Sequence, residues 1–97
     1  MATYIALANW TEQGARAVSD SPRRIDAARK TLEEMGGKFT SFLMTMGEYD
    51  IVLVYEAPDG AVAARFTLLL GRQGSVWTKT LKAFPEQAYR AIIESLD

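Results

Sequence analysis

An α+β domain, four strands in one sheet with helices on one side of it, is predicted by three observations. The chain is 97 residues long, a length that suits one domain of ~50–250 residues. Apolar spacing alternates between period two and helical period in the order β-α-β-β-α-β-α. Gly and Pro punctuate those changes, at Gly36-Gly37, Gly47, Pro58-Asp59-Gly60, Gly71 and Pro85.

The first strand is predicted over residues 2–10. Tyr4, Ala6, Ala8 and Trp10 share one face, and Thr3, Ile5, Leu7 and Asn9 share the other. A polar connection follows, with a short helical turn capped by Thr11. Residues 21–37 read as a helix, with Ser21 as cap and Pro22 at its start. Ile25, Ala28, Leu32 and Met35 fall on one helical face, and Gly36-Gly37 terminates it. Residues 38–46 and 49–57 read as two strands joined only by Gly47 and Glu48, which matches a two-residue type II′ turn. A helix over 61–74 groups Val62, Phe66, Leu69 and Leu70. A strand over 75–84 alternates, and a helix over 85–97 groups Tyr89, Ile92, Ile93 and Leu96.

The first six elements form a split βαβ, or ferredoxin-like, pattern. Right-handed crossovers are read as placing the first and third strands in the middle and parallel, with the second and fourth at the edges of an otherwise antiparallel sheet. The helices cover one face. The other face is bare in a monomer, yet its residues are still largely apolar, so a second copy packing sheet to sheet is expected to cover it. On this arrangement Trp10, Trp77, Ser21, Arg23 and Arg24 share one pole, and the Gly47–Asp50 turn lies at the other, near Thr3, Tyr4 and Phe84.

Composition removes whole classes of chemistry. There is no cysteine, which excludes disulfides, thiolate nucleophiles and cysteine metal sites, and no histidine, the usual general base and transition-metal ligand. Acid–base work would fall to carboxylates, Lys or Tyr with displaced pKa values. Eleven basic and 12 acidic residues leave a net charge of −1, so no global field recruits nucleic acid. The basic residues between Arg16 and Lys30 are diluted by Asp20 and Asp26. No apolar run is long enough for a membrane span, and the N-terminus lacks the pattern of a signal peptide, so a cytoplasmic location is expected. Glu48, Asp50 and Glu56 do not converge, and neither a metal nor a cofactor is expected.

Four places are candidates for a site. In Gly47-Glu48-Tyr49-Asp50, Asp50 is a candidate general base and Tyr49 a proton donor; the competing reading is a turn in which Asp50 accepts backbone N–H bonds. At the Trp10 pole, Ala6 and Ala8 between Tyr4 and Trp10 leave room for a flat apolar ligand, or for another subunit's side chains. In "DSPRR", Arg23 or Arg24 at a helix start suits a carboxylate or phosphate, against a solvated surface pair. On the fourth strand, Thr78 and Thr80 share a face and offer hydroxyls to a cavity, although Thr is also simply a good strand former. Trp77 joins Trp10, Tyr4, Arg23 and Thr78 as a ligand-binding candidate.

The blocks "YIALANWTEQG", "DSPRRIDAARK", "MGEYDIVLVYEAPD" and "TLKAF" together resemble the GYD domain family, with Gly47, Tyr49 and Asp50 as the motif. The resemblance spans nearly the whole chain and implies kinship with the dimeric α/β-barrel superfamily, in which two ferredoxin-like subunits pack sheets face to face. It implies a homodimer or an assembly of dimers. Similar proteins include muconolactone isomerases, cofactor-free monooxygenases, haem enzymes and stress-responsive proteins; the haem branch commonly uses histidine, which this chain lacks. Three functions stand open: a small cytoplasmic barrel protein holding a small, partly apolar molecule; a cofactor-free isomerase or monooxygenase acting on an acidic or aromatic compound, with Asp50 as base, Tyr49 as donor and Arg23 as anchor; and a structural oligomerisation module without a ligand.

Overall fold

A computed structural model describes all 97 residues. The order is β1 (Ala2–Trp10), α1 (Glu12–Arg16), a 3-10 turn (Val18–Asp20), α2 (Ser21–Glu34), β2 (Lys38–Met44), β3 (Ile51–Ala57), α3 (Gly60–Gln73), β4 (Val76–Ala83) and α4 (Glu86–Glu94). The strands form one sheet in the order β2-β3-β1-β4, and all three pairings are antiparallel. This is the ferredoxin-like arrangement with an added C-terminal helix.

The expected parallel pairing of the first and third strands is incorrect. β1 and β3 are antiparallel, with Ala8 opposite Ile51 and Ala2 opposite Ala57. A strand–helix–strand crossover returns β2 in the direction of β1, and the following turn reverses β3. The start of β3 therefore lies beside the end of β1, so the Gly47–Asp50 turn shares a pole with Trp10 instead of facing it across the sheet.

One face of the sheet builds the core. Tyr4, Ala6 and Ala8 of β1 and Ile51, Leu53, Tyr55 and Ala57 of β3 are buried together with Leu32 of α2 and with Ala63 and Phe66 of α3. Tyr4 stacks on Tyr55 at 5.6 Å between ring centroids, and Tyr55 meets Phe66 edge-on at 5.2 Å. In β2 the register slips between Phe39 and Ser41. The extra residue, Thr40, lets Phe39 and Phe42 both face the helices despite their odd spacing.

Local chemistry sets the element ends. Thr11 caps α1 by accepting from Gly14 N at 3.1 Å, and its own hydroxyl donates to Gly74 O at 2.6 Å. Ser21 does not cap α2: the 3-10 turn runs straight into the helix, and Ser21 is already helical. Asp59 caps α3 through Val62 N at 2.9 Å, and Gly74, at φ +81°, closes it. The loop between β2 and β3 is not a two-residue turn. Thr45 to Asp50 lie outside both strands, because the loop bonds to the end of β1 as well as to itself.

The outer face of the sheet carries Leu43, Val52 and Leu7 in one cross-strand row, and Val54, Ile5 and Leu81 in the next. No element of the chain covers it. α4 buries none of its residues, and every residue from Phe84 to Asp97 is exposed. The protein is accordingly flat and long, 52 × 31 × 17 Å.

Candidate functional site

Between the sheet and the two long helices lies a cavity of about 80 Å³. Its floor is β1, where Ala6 and Ala8 are too small to fill the space beneath α2, and Leu53 and Phe42 continue the apolar wall. The polar lining collects at one pole, because that is where β1 ends, α2 begins, α3 ends and β4 begins: Ser21, Arg24, Gln73 and Ser75 all lie there, with Trp10 beside them. Arg24 donates from Nη1 to Ala17 O at 2.8 Å and from Nη2 to Gly14 O at 3.4 Å.

The candidate residues distribute unevenly around this cavity. Trp10 and Thr78 line it. Tyr4 is buried in the core, stacked on Tyr55, and is not part of the lining. Arg23 is exposed on α2, and its neighbour Arg24 takes the position at the cavity. Trp77 pairs in register with Asn9 and is 72% exposed on the outer face, the opposite side of the sheet from Trp10. Thr80 faces α3, where its hydroxyl lies 3.3 Å from that of Thr67.

Asp50 sits where the β2–β3 loop meets the end of β1. Its Oδ2 accepts from Trp10 N at 3.0 Å and from Asn9 Nδ2 at 3.4 Å, while Asn9 Nδ2 also donates to Glu48 O at 2.9 Å. Asp50 N donates to Ala8 O at 3.0 Å, and Thr45 N donates to Asp50 O at 2.8 Å. This is a clasp of charge-assisted and backbone hydrogen bonds that pins the loop to β1. Tyr49 stands on the outer side, its ring 5.8 Å from Lys79 Nζ. Asp50 and Tyr49 therefore address different surfaces. Glu56 lies at the far end of β3, opposite Thr3 and beside Lys38.

Tyr55 is a buried polar group that no pattern in the sequence singles out. It is fully buried, and its hydroxyl has no hydrogen-bond partner. Burial pushes its pKa above the ordinary tyrosine value; the nearby Thr67 hydroxyl acts in the opposite sense, and Tyr4 adds to the rise. Thr67 donates to Ala63 O at 2.9 Å and lies 3.3 Å from the Thr80 hydroxyl, and it forms no hydrogen bond of normal geometry with Tyr55.

Comparison with known proteins bears on the same residues. The GYD domain family matches residues 4–93, from Tyr4 in the core to the exposed Ile93 of α4. A protein of Thermus thermophilus described as a glutamine synthetase and cystathionine beta-lyase binding protein is 40% identical over 86 residues, covering 88% of this chain and 90% of its own length. No solved structure matches the chain. No helix is long and apolar enough to cross a membrane.

Proposed function

Because the chain belongs to the GYD domain family, we propose that it is a cytoplasmic binding protein, assembled as a sheet-to-sheet homodimer, that holds a small apolar-bodied molecule in each protomer and docks on other proteins. The observation that carries this reading is the outer sheet face. Ile5, Leu7, Val52 and Val54 form its centre, with Leu43, Leu81 and Trp77 around them at 50% exposure or more. A contiguous apolar surface of this kind is what dimers bury. Protein partners are supported by the Thermus relative, which is described as binding two enzymes; for this chain, enzymes are the partner class to test first. A bound small molecule is supported by the cavity over Ala6 and Ala8, which a purely structural module has no need to leave.

A catalytic role would have Asp50 as base and Tyr49 as donor. It has less support, because Asp50 is occupied by Trp10 N and Asn9, and Tyr49 faces away from the cavity wall.

Native mass spectrometry and sedimentation test the assembly together. The expected result is a dimer at micromolar concentration that Leu7→Glu converts to a folded monomer. A wild-type chain that sediments as a stable monomer overturns the reading.

A further inference from the structure

Arg24 is the one cationic side chain in the cavity lining, and it has no anionic partner. Arg16, Arg29 and Arg90 each pair with a carboxylate of their own helix. Arg24 is instead half-buried at the cavity, and its recorded partners are two neutral backbone carbonyls. Of the five N–H groups of a guanidinium, those two bonds leave Nε and one hydrogen on each Nη free. A guanidinium withdrawn from water gains most from a carboxylate, which it grips in bidentate fashion. The carbonyl bonds hold its position in advance, so little side-chain freedom is lost when an anion arrives.

Away from that pole the cavity is closed to polar groups. Apart from Thr78, which stands opposite Ala8, the lining there is apolar, with Ala6, Leu53 and Phe42, and a polar ligand atom buried among them would lose its water without a partner. The volume sets the size. About 80 Å³ is roughly half the ~150 Å³ of a cavity that takes benzene. An alkyl body of a few carbons, smaller than a six-carbon aromatic ring, therefore suits it, with the polar head of the ligand left outside the apolar part at the Arg24 pole.

We propose that the cavity binds a short-chain aliphatic monocarboxylate, its alkyl body lying over Ala6 and Ala8 and its carboxylate on Arg24. The proposal rests on reading the cavity as a ligand site and adds the chemical class. It also assigns the anchoring role to Arg24 in place of Arg23.

Titration calorimetry with butyrate, pentanoate and hexanoate, each beside the matching primary amide, tests it on the full-length protein. Methyl chemical shifts of Ala6 and Ala8 report whether a bound probe occupies the cavity. The acids are expected to bind at least about tenfold more tightly than their amides, a difference of ~1.4 kcal/mol, and to shift both methyls. Arg24→Gln is expected to remove that preference by weakening acid binding far more than amide binding, with circular dichroism and the Ala6 and Ala8 methyl shifts of the free variant showing that it is folded; Arg24→Lys should keep part of the preference. Ala8→Leu is expected to abolish binding of both. Acids and amides binding equally would overturn the carboxylate assignment and leave the ligand cavity standing. If neither binds, or the acid preference survives in Arg24→Gln but falls in Arg23→Gln, the proposal is wrong.

Discussion

At the scale of single residues, Tyr55 poses the sharpest energetic question. A buried hydroxyl without a partner costs about 1–3 kcal/mol of desolvation that nothing returns, while its ring contributes the stacking with Tyr4 and Phe66. Tyr55→Phe keeps the ring and removes the cost, so it should stabilise the protein by about 1–2 kcal/mol in urea unfolding. The raised pKa gives the pH dependence its sign. The folded state holds the phenolic proton more tightly than the unfolded chain, so this contribution is complete below pH ~10, the unfolded value, and declines as pH climbs from there toward the higher folded value. Tyr55→Phe should therefore lose less stability than wild type between pH 9 and about 11; an identical decline in both would remove Tyr55 as the cause. Residue-scale features were legible where one residue settles them. The Thr11 cap and the space over Ala6 and Ala8 follow from side-chain chemistry and size alone. Arg23 and Arg24 could not be separated this way, because neighbouring helical positions point about 100° apart, and the 3-10 turn at Val18–Asp20 sets the phase in which α2 begins.

At the scale of elements, close approaches between backbones decide what the sheet and helices tolerate. Gly14 in α1 lies against the residue that precedes β4: a Cβ at Gly14 would stand 2.0 Å from Ser75 O, the same carbonyl that accepts from Thr11 N at 3.1 Å. Gly14→Ala must push α1 off the start of β4, at a cost of about 1–3 kcal/mol or more. Gly71, inside α3, meets nothing within 4 Å, so Gly71→Ala should stabilise by about 0.5–1 kcal/mol through helix propensity. Opposite signs for the two substitutions in the same unfolding assay are the expected outcome; a neutral Gly14→Ala would mean that α1 is not seated there. The order and type of the elements were legible because apolar period and breakers agree along the whole chain. The β2–β3 loop was not, since its width is set by Asn9 and Asp50 reaching across 41 residues of sequence, a partnership that no local turn pattern encodes. The direction of β3 was available from the topology, and the parallel expectation failed on it: one crossover and one reversal leave β3 opposed to β1.

At the scale of the whole molecule, two apolar surfaces lack cover within the chain, and they call for the same remedy. The outer sheet face is one. The other is α4, which follows the edge strand β4 and shows Tyr89, Ile92, Ile93 and, just beyond its end, Leu96 at 44% exposure or more. Fully burying one such side chain is worth about 1.5–3 kcal/mol, so covering the group is ample to bias association, while a lone protomer gains nothing of the kind from the helix. A chain ending at Phe84 should therefore keep its four-stranded body and, at high dilution, the unfolding temperature of the full chain. At higher concentration the two should diverge. The full chain gains stability as dimer accumulates, because binding that only the folded state can make raises its apparent stability by mass action; the shortened chain should gain less, and its dimer should dissociate at higher concentration. Thermal unfolding over a hundredfold dilution series separates this from a purely local role. If removing α4 lowers the unfolding temperature equally at every concentration, the helix braces its own protomer, and the case for it as part of the dimer surface is lost.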